Sequence, residues 1–178
     1  MFLDMVAEQY SHDMVDEIID ASDLSTDGAY TTIGNYCHTE FLQLLTHLSQ
    51  QTNTEMPVIL DQVGRHLFST FFNAQPEFFA DFKNCFEFLQ AYEGYLRVDI
   101  GKIHDDDEAQ ADIPVLQMTK DDQETLELHY ISQLPSEHLT LGLIQESASY
   151  FNDNIEVNVK HNATESGTDA MILIKKLA

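Results

Sequence analysis

The chain has 178 residues and a mass of 20.3 kDa, with 31 Asp and Glu against 8 Lys and Arg, a formal charge of −23. That length suits one domain, residues 1–178, with a substantial core, and the charge excludes nucleic acid and anionic membranes as partners because both would be repelled. The two cysteines, Cys37 and Cys85, have no CxxC spacing, so neither a disulfide framework nor a zinc ribbon is indicated and a reduced, cytoplasmic setting is expected.

The first 104 residues read as a helical part. MFLDMVAEQY and DMVDEIIDA carry apolar residues three and four apart, and HTEFLQLLTHLSQ repeats the spacing with Phe41, Leu44, Leu45 and Leu48. Neither MFLDMVAEQY nor any later run has the character of a secretion signal or the roughly 18 apolar residues of a membrane span. STDGAYTTIGNY, with two glycines, reads as a long connection. EMPVILDQVGRHLFSTFFN is a strong amphipathic helix with Pro57 in its first turn. PEFF at 76–79 starts a further turn of structure, and residues 82–103 form a long helix interrupted by Gly94 and Gly101.

After the acidic stretch HDDDEAQAD the apolar period changes to two. IPVLQM, TLELHYIS, IEVNVKH and AMILIKK read as four strands, with a helix at 136–151 after the second. Turn residues at 119–123 and 162–169 permit hairpins. The expected fold is α+β: a helical part, 1–104, packed on an antiparallel four-stranded sheet with one inserted helix, 105–178.

Chemistry-bearing patterns are sparse. Eight histidines include no HExxH pair and none at zinc spacing to cysteine, so they read as surface residues or local hydrogen-bonders. The DDDE run, Asp105 to Glu108, lacks a calcium-loop ladder and reads as a solvated loop. GxSxG and Gly-rich phosphate loops are absent, so an enzyme is not expected. More informative is LHYISQL. Strand alternation points Tyr130 and Ser132 to one face just where the strand stops, and two neighbouring hydroxyls there either hold an anion or are solvated. Eight phenylalanines between 68 and 88 read as core by default, or as the wall of a flat apolar cofactor's pocket.

Taken in order, DGAYTTIGNY, the DQVGRHLFSTFF helix with PEFF after it, Pro114 before a strand, the strand ending HYIS and the next helix with GLI resemble the haem-nitric oxide/oxygen binding (H-NOX, HNOB) family through nearly the whole chain. The resemblance implies a haem pocket. Tyr130 and Ser132 match the Tyr-x-Ser-x-Arg motif that grips the haem propionates, but the arginine position is Leu134. Without a guanidinium the propionate edge is left to neutral donors. Pro114 matches the proline that presses on the porphyrin, and Phe68, Phe71 and Phe72 would line the cavity.

The family's iron-ligating histidine falls on Leu96 or Arg97, and neither coordinates iron. Tyr95 and His104 are the candidate substitute ligands. Some relatives carry a cysteine zinc site; here the matching region holds Glu137 and HNATESGTDA, so no zinc is expected. The chain also starts one or two helical turns later than family members, which raises an extension upstream of Met1 as an alternative to a shortened distal wall. The function implied is a sensory or regulatory protein that contacts a separate partner, a histidine kinase or a cyclic-dinucleotide enzyme, with haem binding absent, weak or through unusual ligation. The alternatives are a haem-binding nitric oxide sensor with Tyr95 or His104 as ligand and, more distantly, a small-molecule enzyme.

Overall fold

A computed structural model of the chain describes residues 2–24, 38–95, 115–122, 124–132, 136–164 and 167–177. The apolar spacing of the N-terminal segments forms α1 (Phe2–Gln9) and α2 (His12–Asp20). They are separated by Ser11, whose hydroxyl accepts from the Met14 N–H at 3.1 Å and so starts the second helix. α3 (His38–Thr52) and α4 (Met56–Ala74) follow, α4 opening on Pro57, which has no N–H to leave unsatisfied in a first turn. α5 (Pro76–Phe79) is one turn long.

α6 (Cys85–Tyr95) begins three residues later than the apolar pattern predicts. The reason is a capping box: Asn84 Oδ1 accepts from the Glu87 N–H at 3.0 Å, and the Glu87 carboxylate reaches back to the Lys83 N–H at 2.8 Å. Asp153 adds a third anchor, its carboxylate accepting from the Cys85 N–H at 2.7 Å while ion-pairing with Lys176 at 3.0 Å. Burial pushes the Asp153 carboxyl up, but the Cys85 N–H and Lys176 outweigh it and hold it below the usual carboxylate value. Burial, followed by the Asp153 charge, pushes the Cys85 thiol up to about 12.

A testable consequence concerns acid stability. The folded pKa of Asp153 lies below its unfolded value, so its contribution is complete above the unfolded pKa and is lost as pH falls through the folded one. Asp153→Asn is expected to cost about 1 kcal/mol near neutrality, and the gap to the parent is expected to close below about pH 4. Urea melts of both proteins at several pH values measure this.

The strands form one antiparallel sheet in the order β1-β2-β4-β3, from β1 (Val115–Asp121), β2 (Thr125–Ser132), β3 (Ile155–His161) and β4 (Thr168–Lys176). β1 runs beyond the expected strand end at Met118, through a register irregularity between Met118 and Lys120. Thr119 bonds the Glu127 carbonyl at 3.1 Å there, and a turn closes behind it with Asp122 N–H on Thr125 O. α7 (Glu137–Phe151) follows β2 and ends at Asn152, whose left-handed backbone (φ 55°) stops the helix. This is the expected α+β fold, a helical assembly against a four-stranded antiparallel sheet.

Two apolar clusters organise the described residues. Met5, Val6, Ile18, Leu44, Leu45, Leu48, Ile59, Leu60 and Val63 make one, among α1 to α4. The second joins Phe68, Phe79, Phe86, Phe88 and Leu89 to the inward residues of the sheet and to Leu143, Ile144 and Ala148 of α7. α4 belongs to both, its first half to one and its C-terminal half to the other. It lies against α7 so closely that Gly64 faces the Leu139 carbonyl and Gly142 the Asp61 carbonyl with no room for a Cβ between them.

Candidate functional site

The alternation of TLELHYIS holds along β2. Leu126, Leu128, Tyr130 and Ser132 face inward and are buried, Tyr130 at 1% exposure and Ser132 at 7%. The Tyr130 hydroxyl lies 2.7 Å from Ser136 Oγ, and Ser132 Oγ lies 3.5 Å from the same atom. Ser136 stands at the N-cap position of α7, yet its side chain caps nothing; it turns instead to the two β2 hydroxyls.

Strand register brings a fourth hydroxyl to this point. Thr168 is the β4 partner of Ser132 and is likewise buried. Its Oγ1 donates to Glu137 Oε2 at 3.2 Å, while Glu137 Oε1 lies 3.3 Å from His161 Nε2 and 3.9 Å from His138 Nε2. The Glu137 side chain is only 12% exposed. Burial raises the Tyr130 phenol above its ordinary pKa, the Ser136 and Ser132 hydrogen bonds oppose this, and the Glu137 charge adds to it. Chemically the arrangement is a set of neutral hydrogen-bonding groups with a carboxylate at its edge.

Of the residues singled out from sequence, Tyr130 and Ser132 come together here. Ser136, Glu137 and Thr168 complete the cluster and were not foreseen as a group: PSEHL reads as an ordinary helix start, and the Thr168 contact depends on strand register. Phe68, Phe71 and Phe72 lie elsewhere in the second core. The Phe68 ring meets Phe79 at 5.5 Å, Phe88 at 5.2 Å and Tyr150 at 5.7 Å. Phe71 packs on Phe78 and Phe79, each at 5.3 Å, and Phe72 on Tyr150 at 4.5 Å. Edge-on and tilted contacts of this kind are the usual geometry of packed aromatic cores.

Tyr95 closes α6, whereas Leu96, Arg97, His104, Pro114 and Leu134 fall outside the described residues. The described histidines do form local pairs. His66 Nδ1 lies 3.5 Å from Glu8, and His129 Nε2 lies 2.9 Å from Asp169, which also accepts from Asn162 at 2.7 Å. Among the described residues no group of three or more His, Cys, Asp or Glu side chains is placed to hold a metal ion, and no helix is long and apolar enough to cross a membrane.

The same architecture occurs in solved proteins. An unliganded Fe(II) H-NOX protein from K. algicida is 32% identical, covering 99% of this chain and 93% of that one, with a TM-score of 0.86. A variant of the T. tengcongensis H-NOX protein is 21% identical, covers 99% of this chain and 94% of that one, and has a TM-score of 0.85. An oxygen-bound H-NOX domain related to soluble guanylate cyclases is also 21% identical, over 99% of this chain and 92% of that one, with a TM-score of 0.84. These last two show the shared fold. No curated protein sequence matches the chain. The family model described as Haem-NO-binding matches residues 1–159. With that match and the K. algicida relative, the chain belongs to the haem-NO-binding, or H-NOX, family.

Proposed function

We propose that this H-NOX protein is a cytoplasmic sensory or regulatory protein that acts on a separate protein partner, and that its pocket does not use the histidine–iron bond on which gas sensing in the family depends. Haem binding is then absent, weak or achieved through another ligand. The observation that carries this reading is the Glu137 carboxylate at the hydroxyl cluster. A porphyrin presents two carboxylates at its propionate edge. Tyr130, Ser132 and Ser136 fit the hydrogen-bonding need of that edge, but the Glu137 carboxylate beside them carries the wrong sign and position 134 is leucine rather than arginine. The described residues therefore do not fit a doubly ionised propionate edge.

Sequence supports the same reading at the iron, since Leu96 or Arg97 stands where the family places its histidine. Pro114 and the phenylalanines of α4 remain proposed wall residues of the pocket. For signalling, the relevant feature is α4, whose side chains belong to both cores, so that a ligand displacing one core shifts the other through a single helix. A histidine kinase or a cyclic-dinucleotide enzyme is the kind of partner this family implies.

A second reading keeps haem and nitric oxide, with Tyr95 or His104 as the ligand; Tyr95 stands at the end of α6, within two residues of the family's ligand position at Leu96 or Arg97. Haemin titration monitored by absorption, with and without nitric oxide, separates the two. The expected result is no saturable stoichiometric uptake, or uptake with a spectrum unchanged in Tyr95→Phe and His104→Ala. A sharp band at one haem per chain that either substitution abolishes would establish the second reading instead.

A further inference from the structure

The hydroxyl cluster and its carboxylate are two parts of one device. Ser132 and Thr168 are register partners on β2 and β4, both facing inward, so the Ser132–Ser136–Tyr130 contacts and the Thr168–Glu137 contact meet across a single strand pair. Glu137 is not a loose surface acid. One oxygen accepts from the buried Thr168 and the other pairs with His161, and the side chain is largely shielded from water. It stands in the first turn of α7, at the positive end of the helix dipole.

We infer that Glu137 is the specificity-determining residue of this pocket: pinned by Thr168 and His161 against the Tyr130–Ser132–Ser136 hydroxyls, it rejects planar ligands with ionised carboxylates at that edge and admits the same ring in neutral form. The inference rests on the porphyrin-type pocket proposed above and adds the class of ligand it takes. A fixed negative charge in a shielded site acts on an incoming carboxylate far more strongly than a solvated one, because little water lies between them. A neutral ester edge meets no such repulsion and still accepts hydrogen bonds from the cluster's hydroxyl protons. The overall charge of −23 also repels anions, but salt screens exposed charges beyond about 8–10 Å and screens a shielded neighbour much less. Among the described residues His161 and His138 also face Glu137, and the inference holds at a pH where both are neutral.

Iron-free protoporphyrin IX and its dimethyl ester test the inference without involving iron ligation. Both are titrated into the full chain at physiological salt, with binding read from porphyrin fluorescence. The ester is expected to bind at least about tenfold more tightly than the diacid. Glu137→Gln is expected to narrow the ratio severalfold, whereas Glu156→Gln, which removes the same charge from an exposed position on β3, is expected to leave it unchanged. Equal binding of diacid and ester by the parent protein overturns the inference and leaves the pocket standing. So does an unchanged ratio in a folded Glu137→Gln protein. Failure of both compounds to bind overturns the pocket reading and the inference with it, and binding of the diacid without the ester overturns the inference alone. The comparison on the parent chain needs no variant, so a poorly folding Glu137→Gln leaves a decisive result.

Discussion

Gly142→Ala is expected to destabilise the protein by about 3 kcal/mol, a fall in melting temperature of roughly 6–12 °C for a chain of this size. A Cβ at Gly142 lands inside the carbonyl, Cα and carbonyl carbon of Asp61, and one at Gly64 lands inside the carbonyl of Leu139. These obstacles are backbone, so no side-chain rotation relieves them and the helices must separate. Separation also weakens what lies around the crossing. Arg65 reaches from α4 to Gln145 and to Glu146, 3.3 Å away, while its Nε holds Asp61 at 2.7 Å. Those partly exposed pairs contribute little individually; the larger loss is packing between the cores that α4 joins. Because both glycines serve one crossing, Gly64→Ala together with Gly142→Ala is expected to cost less than the two singles added. Calorimetric melts of the three variants measure both effects, and strict additivity would sink the idea of one shared contact.

Phe68→Ala is expected to cost about 3–5 kcal/mol. Phe68 is 2% exposed and its ring is enclosed by Phe79, Phe88 and Tyr150, with Phe79 and Phe88 themselves stacked at 5.2 Å. Truncating it opens a cavity that the stacked pair cannot easily fill without breaking its own contacts. This separates the two meanings of the phenylalanine-rich segment. A core ring loses stability and leaves porphyrin binding by the folded fraction within about twofold, whereas a pocket wall changes binding by an amount comparable to its buried area. Denaturant melts and porphyrin titration on the same preparation decide between them.

Element type was legible wherever the apolar period was long and unbroken. TLELHYIS alternates over eight residues, so its limits and the shared face of Tyr130 and Ser132 follow from sequence, whereas the burial of those two hydroxyls is seen only in the structure. The start of α6 did not follow, because apolar Phe82 continues the pattern past the capping box at Asn84 and Glu87 that actually begins the helix. β1 extends beyond Met118 because Thr119 and Asp122 find partners across the hairpin, which turn-forming composition alone does not reveal. The site was half legible for a related reason. Tyr130 and Ser132 share a face by local geometry, whereas Thr168 reaches Glu137 from 31 residues away and depends on strand register. Ser136 was hidden by its own helix-start context, since a serine there ordinarily caps.

The central claim, that no histidine–iron bond forms in this pocket, is tested most directly by hyperfine spectroscopy. Protein uniformly labelled with ¹⁵N is mixed with an equivalent of unlabelled haemin, and the ferric iron's electron spin reports any nitrogen bonded to it. The account predicts only the ¹⁴N couplings of the porphyrin itself. A strong ¹⁵N coupling from a directly bonded side chain, at one iron per chain, would contradict it.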